Sequence, residues 1–395
     1  METTNVTPRR RGLLGAVAAG LVAAIGLGGA APAGAAERLD RDVLRRTVDG
    51  LPGEDVTGAL VRVTGDDGTW WGTSGVADRR TGERVRSDVS FRIGSITKLF
   101  TGTLLLQLAG EGRVDLGAPV RRYLPGLLPE GYDGVTVGML LDHTSGLPPA
   151  DREMTVGDGS NAWRVAHRFD SWSPEQIVRG ALRGHDRPVS VPGGRQQYNG
   201  VNSFVAGLLV ERVTGRSYAH EVRSRITRPL GLGRTYVPAP RDTSLPEPHA
   251  HGYLALDREG GLADVTEQSP YPWAEGGMVS TAADLDRFLN ALFAGRLLRP
   301  AQQRLLFTLP GPEVVVTDPE KRFSRAGLMP AVLPNGVEVW GKTGSEPGYV
   351  NGLFATKDRS RRLVYSLNYT NRPGKPEKPY ILGIAKAAFT GAGKP

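Results

Sequence analysis

The chain has 395 residues, with 49 Lys and Arg against 41 Asp and Glu and no cysteine. The formal charge of +8 is scattered rather than gathered in a long basic block, so a nucleic-acid partner is not expected. Without cysteine there can be no disulfide, no thiolate catalysis and no cysteine-bound zinc, and packing alone must hold the fold.

Arg9-Arg10-Arg11 stands before an uncharged run over residues 12–36 that closes with Ala33-Gly34-Ala35. That is a basic segment, an apolar segment and a small-x-small cleavage site, so residues 1–35 are expected to be a removed signal peptide. A retained membrane anchor is the alternative, because the run is long enough to span. General secretory and twin-arginine routes both fit the arginines. Removing residues 1–35 takes away three arginines and one glutamate and leaves +6. A mild basic surplus suits an acidic polymer such as a bacterial wall.

Residues 39–48 then read as a first helix, and residues 56–63 and 70–76 as a hairpin about the turn Gly65-Asp66-Asp67-Gly68. Residues 91–93 form a short strand that runs into a helix starting at Ser95. From 96 to 108 this helix is mostly apolar or small, with no charge except Lys98, and Gly110 and Gly112 stop it. A helix apolar on nearly every side is buried and central. Ser95 and Lys98 are three residues apart, hence on one face, about 5–6 Å apart at Cβ. A hydroxyl at the positive end of the helix dipole thus has an amine one turn behind it. A buried ammonium gives up its proton readily, and the neutral amine can then activate the serine. This is the S-x-x-K arrangement of serine acyl-transfer enzymes.

From residue 114 the texture changes to loops punctuated by Pro and Gly, with short helices at 137–141, 174–182 and 204–213. The second carries an N-cap at Ser173, proline at N1 and a capping box to Gln176. Thr281 caps an amphipathic helix to residue 293. Short strands follow at 337–340, 353–356 and 363–367, and a terminal helix at 380–389. The fold class is therefore α/β (α+β), an antiparallel sheet flanked by helices with an inserted, mostly α-helical domain. The expected boundaries are 36–115 plus 270–395 for the part carrying the sheet and 116–269 for the insertion.

Gly341-Lys342-Thr343-Gly344-Ser345 follows the strand at 337–340. Such a strand can lie beside a reactive serine. Thr343 then offers a hydroxyl, Lys342 a cation for an acidic substrate group, and the Ser345 N–H a second oxyanion donor next to that of Ser95. Residues 336–343 also satisfy the phosphate-loop pattern G-x-x-x-x-G-K-T letter for letter. The intervening residues are strand formers, however, and Ser345-Glu346-Pro347-Gly348 cannot open a long helix, so nucleotide binding is rejected. Tyr198, just ahead of the helix at 204–213, can exchange protons with a leaving group if nearby lysines depress its pKa.

Several motifs in one order resemble a known family. They are Ser95-Ile96-Thr97-Lys98, Leu141-Asp142-His143-Thr144-Ser145-Gly146-Leu147, Phe204-Val205-Ala206-Gly207 with Glu211-Arg212-Val213-Thr214-Gly215, Gly276-Gly277-Met278-Val279-Ser280-Thr281, and Lys342-Thr343-Gly344. Over residues 50–370 the chain resembles the serine penicillin-recognising hydrolases, nearest to exported actinobacterial-type D-alanyl-D-alanine carboxypeptidases and class C β-lactamases. The resemblance implies a β-lactamase/transpeptidase-like fold and an acyl-enzyme formed at Ser95, with Lys98 as base coupled to Tyr198. It implies an oxyanion hole from the N–H groups of Ser95 and Ser345, substrate carboxylate binding at Lys342, Thr343 and Gly344, and Trp273 as a pocket wall. No cofactor is needed. The implied partner is a peptidoglycan peptide ending in D-Ala-D-Ala or a β-lactam, with the mature chain a monomer that keeps no membrane association.

One motif departs. The family's Tyr-x-Asn reads Tyr198-Asn199-Gly200 here, so Gly200 stands at the Asn position and Asn199 lies one place early. Two alternatives therefore stay open. One is the same chemistry on another substrate, as a β-lactamase, esterase, D-amino-acid amidase or peptide cyclase. The other is a weakly active penicillin- or wall-binding pseudoenzyme. His143 is expected to be structural, and His249 and His251, two apart on a loop without a third ligand, are not expected to hold a metal.

Overall fold

The computed structural model describes residues 38–256 and 261–389; the expected signal peptide at 1–35 lies outside them. The amino-terminal helix α1 (Arg41–Asp49) starts where the Asp40 carboxylate caps the N–H groups of Asp42 and Val43. Strands β1 (Val56–Gly65) and β2 (Gly68–Asp78) form the expected hairpin, with Gly65 facing Gly68 across the turn. A short β3 (Glu83–Arg84) follows. The other four strands come late: β4 (Met329–Val332), β5 (Glu338–Glu346), β6 (Tyr349–Ala355) and β7 (Arg361–Tyr369).

They make one antiparallel sheet in the order β4-β5-β6-β7-β1-β2-β3. The first strand of the chain is therefore interior, with Val61 paired to Tyr365 on one side and to Gly72 on the other.

The strands run a few residues beyond the expected bounds, and two differences matter most. Lys342-Thr343-Gly344 lies inside β5 rather than beyond its end, because pairing with β6 continues to Glu346 opposite Tyr349. The edge strand β4 was not foreseen; its Pro330 is tolerated where no further neighbour needs its N–H. Residues 336–343 are a turn, with Gly336 at φ +82°, and a strand, as the rejection of a phosphate loop requires.

Side chains alternate across the sheet with period two. Ala59, Val61, Val63, Leu363, Tyr365 and Leu367 pack against Leu44 and Val48 of α1 and Ile381 and Ile384 of the terminal helix α5 (Lys378–Phe389). Leu60, Leu353 and Val364 face the opposite core, where α2 (Thr97–Gly110) and α4 (Ala282–Phe293) lie. There Phe100 stacks on Phe288 with ring centroids 3.9 Å apart. Full burial of such side chains contributes about 2–3 kcal/mol each. Asp286 of α4 ties this layer to the sheet by accepting from Thr64 Oγ1 at 2.6 Å and Arg362 Nε at 2.7 Å.

Between the two halves of the sheet lie Val137–Leu141, Pro174–Leu182 and α3 (Val201–Thr214), all near their expected positions. This stretch also holds short strands. Arg195–Gln196 pairs in parallel with Val315–Val316, and Tyr253–Ala255 pairs with Leu262–Asp264. Among the described residues no helix is long and apolar enough to cross a membrane.

Candidate active site

Ser95 sits in a one-turn 3-10 helix, Gly94–Ile96, that feeds α2, and not in the first α-turn. Two glycines let this turn press its main chain onto β5. A Cβ on Gly94, which has φ +53°, would lie 2.5 Å from Ser345 N, and one on Gly344 would drive into the Ile93 carbonyl oxygen. The seam brings Ser95 against residues 342–345, as the sequence predicts, and leaves Ser345 exposed beside it.

Around the hydroxyl the predicted groups converge. Lys98 Nζ lies 2.9 Å from Ser95 Oγ, and the Tyr198 hydroxyl donates to the same oxygen at 2.7 Å. Tyr198 is held from behind by aromatic packing, with centroids 4.7 Å from His143 and 5.3 Å from Phe323. His143 is fixed at φ +59°, and its Nδ1 lies 3.2 Å from Asn202 Nδ2. Burial, then the charges of Lys98 and Lys342, push its pKa well below the usual histidine range, so it packs as a neutral ring. That is the structural role expected of it.

The proton chemistry differs from expectation at three residues. Lys98 is buried, and burial pulls its pKa down, but the carboxylate of Glu275 forms a close ion pair with Nζ and Tyr198 adds to it. The net shift is upward, so Lys98 does not shed its proton readily. Tyr198 is not depressed either: burial, helped by the charge of Glu275, outweighs Lys98 and raises it. Lys342 is 1 % exposed, donates to the Thr343 carbonyl at 2.9 Å and lies 5.0 Å from the Tyr198 ring centre. Burial and then Lys98 hold its amine well below the usual lysine range, and its bond to the Thr343 carbonyl turns it away from the open cleft.

Three further candidates are engaged elsewhere. The Asn199 amide donates to the carbonyls of Leu147 at 2.7 Å and Pro148 at 3.0 Å, and its oxygen accepts from the Val201 N–H. It holds its own loop and does not replace an Asn at 200. Trp273 turns its ring to Tyr218, centroids 5.0 Å apart, and to Gly207, behind the site rather than along the cleft. The buried Thr343 hydroxyl points to Met329 Sδ at 4.0 Å. The residue that sequence reasoning missed is Glu275. Its signal was slight: a lone acid in the otherwise uncharged run from 268 to 283.

His251 Nδ1 pairs with Asp264 Oδ2 at 2.7 Å, and among the described residues no group of three or more His, Cys, Asp or Glu is arranged to hold a metal ion. A groove of about 890 Å³ lies among Leu128, Met154, Trp172 and Arg183, away from Ser95.

A family model described as Beta-lactamase matches residues 44–386. The chain belongs to the beta-lactamase family. Within it, this is a serine hydrolase of the β-lactamase and penicillin-binding protein type, with the mixed antiparallel-sheet fold described above. The structure of a D-stereospecific amidohydrolase from Streptomyces sp. superposes with a TM-score of 0.75 at 33% identity, covering 89% of this chain and 99% of that one. Penicillin-binding protein 4 of Amycolatopsis lactamdurans is 31% identical over 244 residues, 59% of this chain and 58% of its own. Esterase EstB of Burkholderia gladioli is 32% identical over 249 residues, 56% of this chain and 61% of its own. The matches thus span only about three fifths of the length of these two curated relatives.

Proposed function

We propose that this hydrolase cleaves amides or peptides of D-amino acids through an acyl-enzyme at Ser95. The observation that carries the reading is Ser95 Oγ lying between Lys98 Nζ and the Tyr198 hydroxyl at 2.9 and 2.7 Å, on a turn pressed against Ser345. Oγ bonds to the substrate carbonyl carbon, and the oxyanion forms between the N–H groups of residues 95 and 345. The serine proton goes to Lys98 once that amine is neutral. Tyr198, raised in pKa and therefore protonated, gives its proton to the departing amine and recovers one from the deacylating water.

Two facts support amide over terminal carboxylate as the group recognised. The likeness to the Streptomyces amidohydrolase runs over that whole protein, and the Lys342 amine is buried and already donates to the Thr343 carbonyl. A second reading, D-alanyl-D-alanine carboxypeptidase on peptidoglycan stems, is favoured by Lys342-Thr343-Gly344 on β5 and by the likeness to penicillin-binding protein 4. Export through residues 1–35 belongs to both, and amino-terminal sequencing of secreted material starting at residue 36 would support it.

The deciding assay compares ammonia release from D-phenylalanine amide with D-alanine release from a tripeptide ending in D-Ala-D-Ala. Ammonia release is expected, and Ser95→Ala should lower it on the order of 10⁴-fold or more. D-Alanine without ammonia selects the second reading. Neither product, with no covalent labelling by a fluorescent penicillin, selects a binding protein.

A further inference from the structure

Glu275 reaches the site from the one-turn segment Trp273–Gly276, whose first residue is held at φ +41°. It meets Lys98 twice: its main-chain oxygen accepts from Nζ at 2.8 Å, and its carboxylate forms the close ion pair. An ammonium has three protons to give. Here their acceptors are Ser95 Oγ, the Glu275 carbonyl and the Glu275 carboxylate, so two of the three ligands of Lys98 come from one residue.

Opposite the carboxylate stands Gly200. Its backbone is ordinary helix, φ −66° and ψ −31°, so no conformational need calls for glycine. Space does. A Cβ at 200 would lie 3.0 Å from both Cγ and Oε1 of Glu275. A side chain at 200 and the carboxylate at 275 therefore compete for one place, and with both present Glu275 must shift away from its position beside Lys98.

We infer that Glu275 is the positioning residue of this site: it takes the room left at position 200, aims Lys98 at Ser95, and accepts the proton Lys98 must lose before it can serve as base. The inference rests on the reading of Ser95 as the acylated nucleophile. The proton count closes. The Lys98 ammonium gives one proton to the Glu275 carboxylate, and the neutral amine takes the Ser95 proton as Oγ bonds to carbon. Net, one proton moves from Ser95 to Glu275, and it returns by the same route when deacylation frees Ser95 Oγ. The other ionisable groups about the pair are Tyr198, Lys342 and His143 on the cleft side and Glu346, Tyr271, Arg92 and Arg164 on the far side. Glu346 is pushed up to about 8 by burial and by Glu275 itself, so near pH 7 it is a neutral acid and does not compete for Lys98.

The test measures labelling rates with a fluorophosphonate probe, which needs an activated serine but no particular substrate. At pH 7, Glu275→Ala and Glu275→Gln should label on the order of 100-fold more slowly than wild type. In Glu275→Gln the proton of Lys98 must leave to solvent, so its deficit should shrink toward pH 10. Gly200→Asn alone should also be slow, from crowding. The double variant Gly200→Asn/Glu275→Ala should regain at least about 10-fold over Glu275→Ala, since an amide then fills the same space. Wild-type labelling with an unaffected Glu275→Ala overturns this inference alone. So does a Glu275→Gln deficit equal at every pH in a protein that melts like wild type, and this variant carries the test if the alanine variant does not fold. A wild type that does not label at all overturns the nucleophile, and this inference with it.

Discussion

The two sides of Ser95 are made of different material. On the sheet side main chain meets main chain: the Gly94–Ile96 turn lies on β5 so closely that neither Gly94 nor Gly344 has room for a methyl group. On the other side mainly side chains meet, with Lys98 and Tyr198 converging on one hydroxyl and Glu275 on Lys98, from three distant parts of the chain. Backbone against backbone has no rotamers to adjust, whereas a cluster of side chains can exchange members. The difference teaches that the first side fixes where the reaction happens and the second how protons are moved.

The largest effect should come from breaking the rigid side. Gly344→Val drives its side chain into the Ile93 carbonyl and should cost at least about 3 kcal/mol, with labelling lost, as read from urea unfolding midpoints. A variant that folds and labels normally would show the seam to be adjustable after all. On the adjustable side, Tyr198→Phe keeps the ring packed on His143 and Phe323 but removes the donor to Ser95. It should lower kcat on the order of 100-fold with KM little changed and a melting temperature close to wild type.

The two buried lysines sharpen the contrast further. Lys98 has an acidic partner and Lys342 has none among the described ion pairs, and their pKa values move in opposite directions. Lys342→Met should therefore stabilise by about 1 kcal/mol, while Lys98→Met should destabilise by leaving Glu275 unmatched, both measured by urea unfolding. Equal and same-signed effects would erase the distinction.

The remaining effect expected is one of pH. Glu346 titrates at about 8 in the folded chain against 4.5 in the unfolded one. Between those values the folded state keeps a proton that the unfolded state has lost, so stability falls as pH rises through this window. Glu346→Gln removes that slope, and its melting temperature should match wild type near pH 5 and exceed it by a few degrees near pH 9.

What the sequence told, and what it withheld, follow the same division. Ser95 with Lys98 is a local spacing on one helix, and Lys342 to Ser345 is a run of residues on one strand, so both could be read from neighbours in the chain. The hairpin, the capped helix at 174–182 and the helix from Thr281 were legible for the same reason. Edge strand β4 was not, because its four residues include a proline and its pairing is set by β5. Neither was Glu275, whose partners are Lys98 and the empty place at 200; nothing in Trp273-Ala274-Glu275-Gly276 announces a contact so far away in sequence. The lysine and tyrosine pKa directions failed for one shared cause. Burial was foreseen, but the sign at Lys98 depends on a carboxylate and at Tyr198 on depth, and both are tertiary facts.

The interior place of β1 has a consequence for synthesis. Its second neighbour, β7, ends at Tyr369, so the sheet cannot close until nearly all of the chain has left the ribosome. A growing copy carries Ser95 and Lys98 from early on, yet β5 has not been made and the second oxyanion donor, the Ser345 N–H, does not stand beside them. Until its last strands emerge, the nascent enzyme is disarmed.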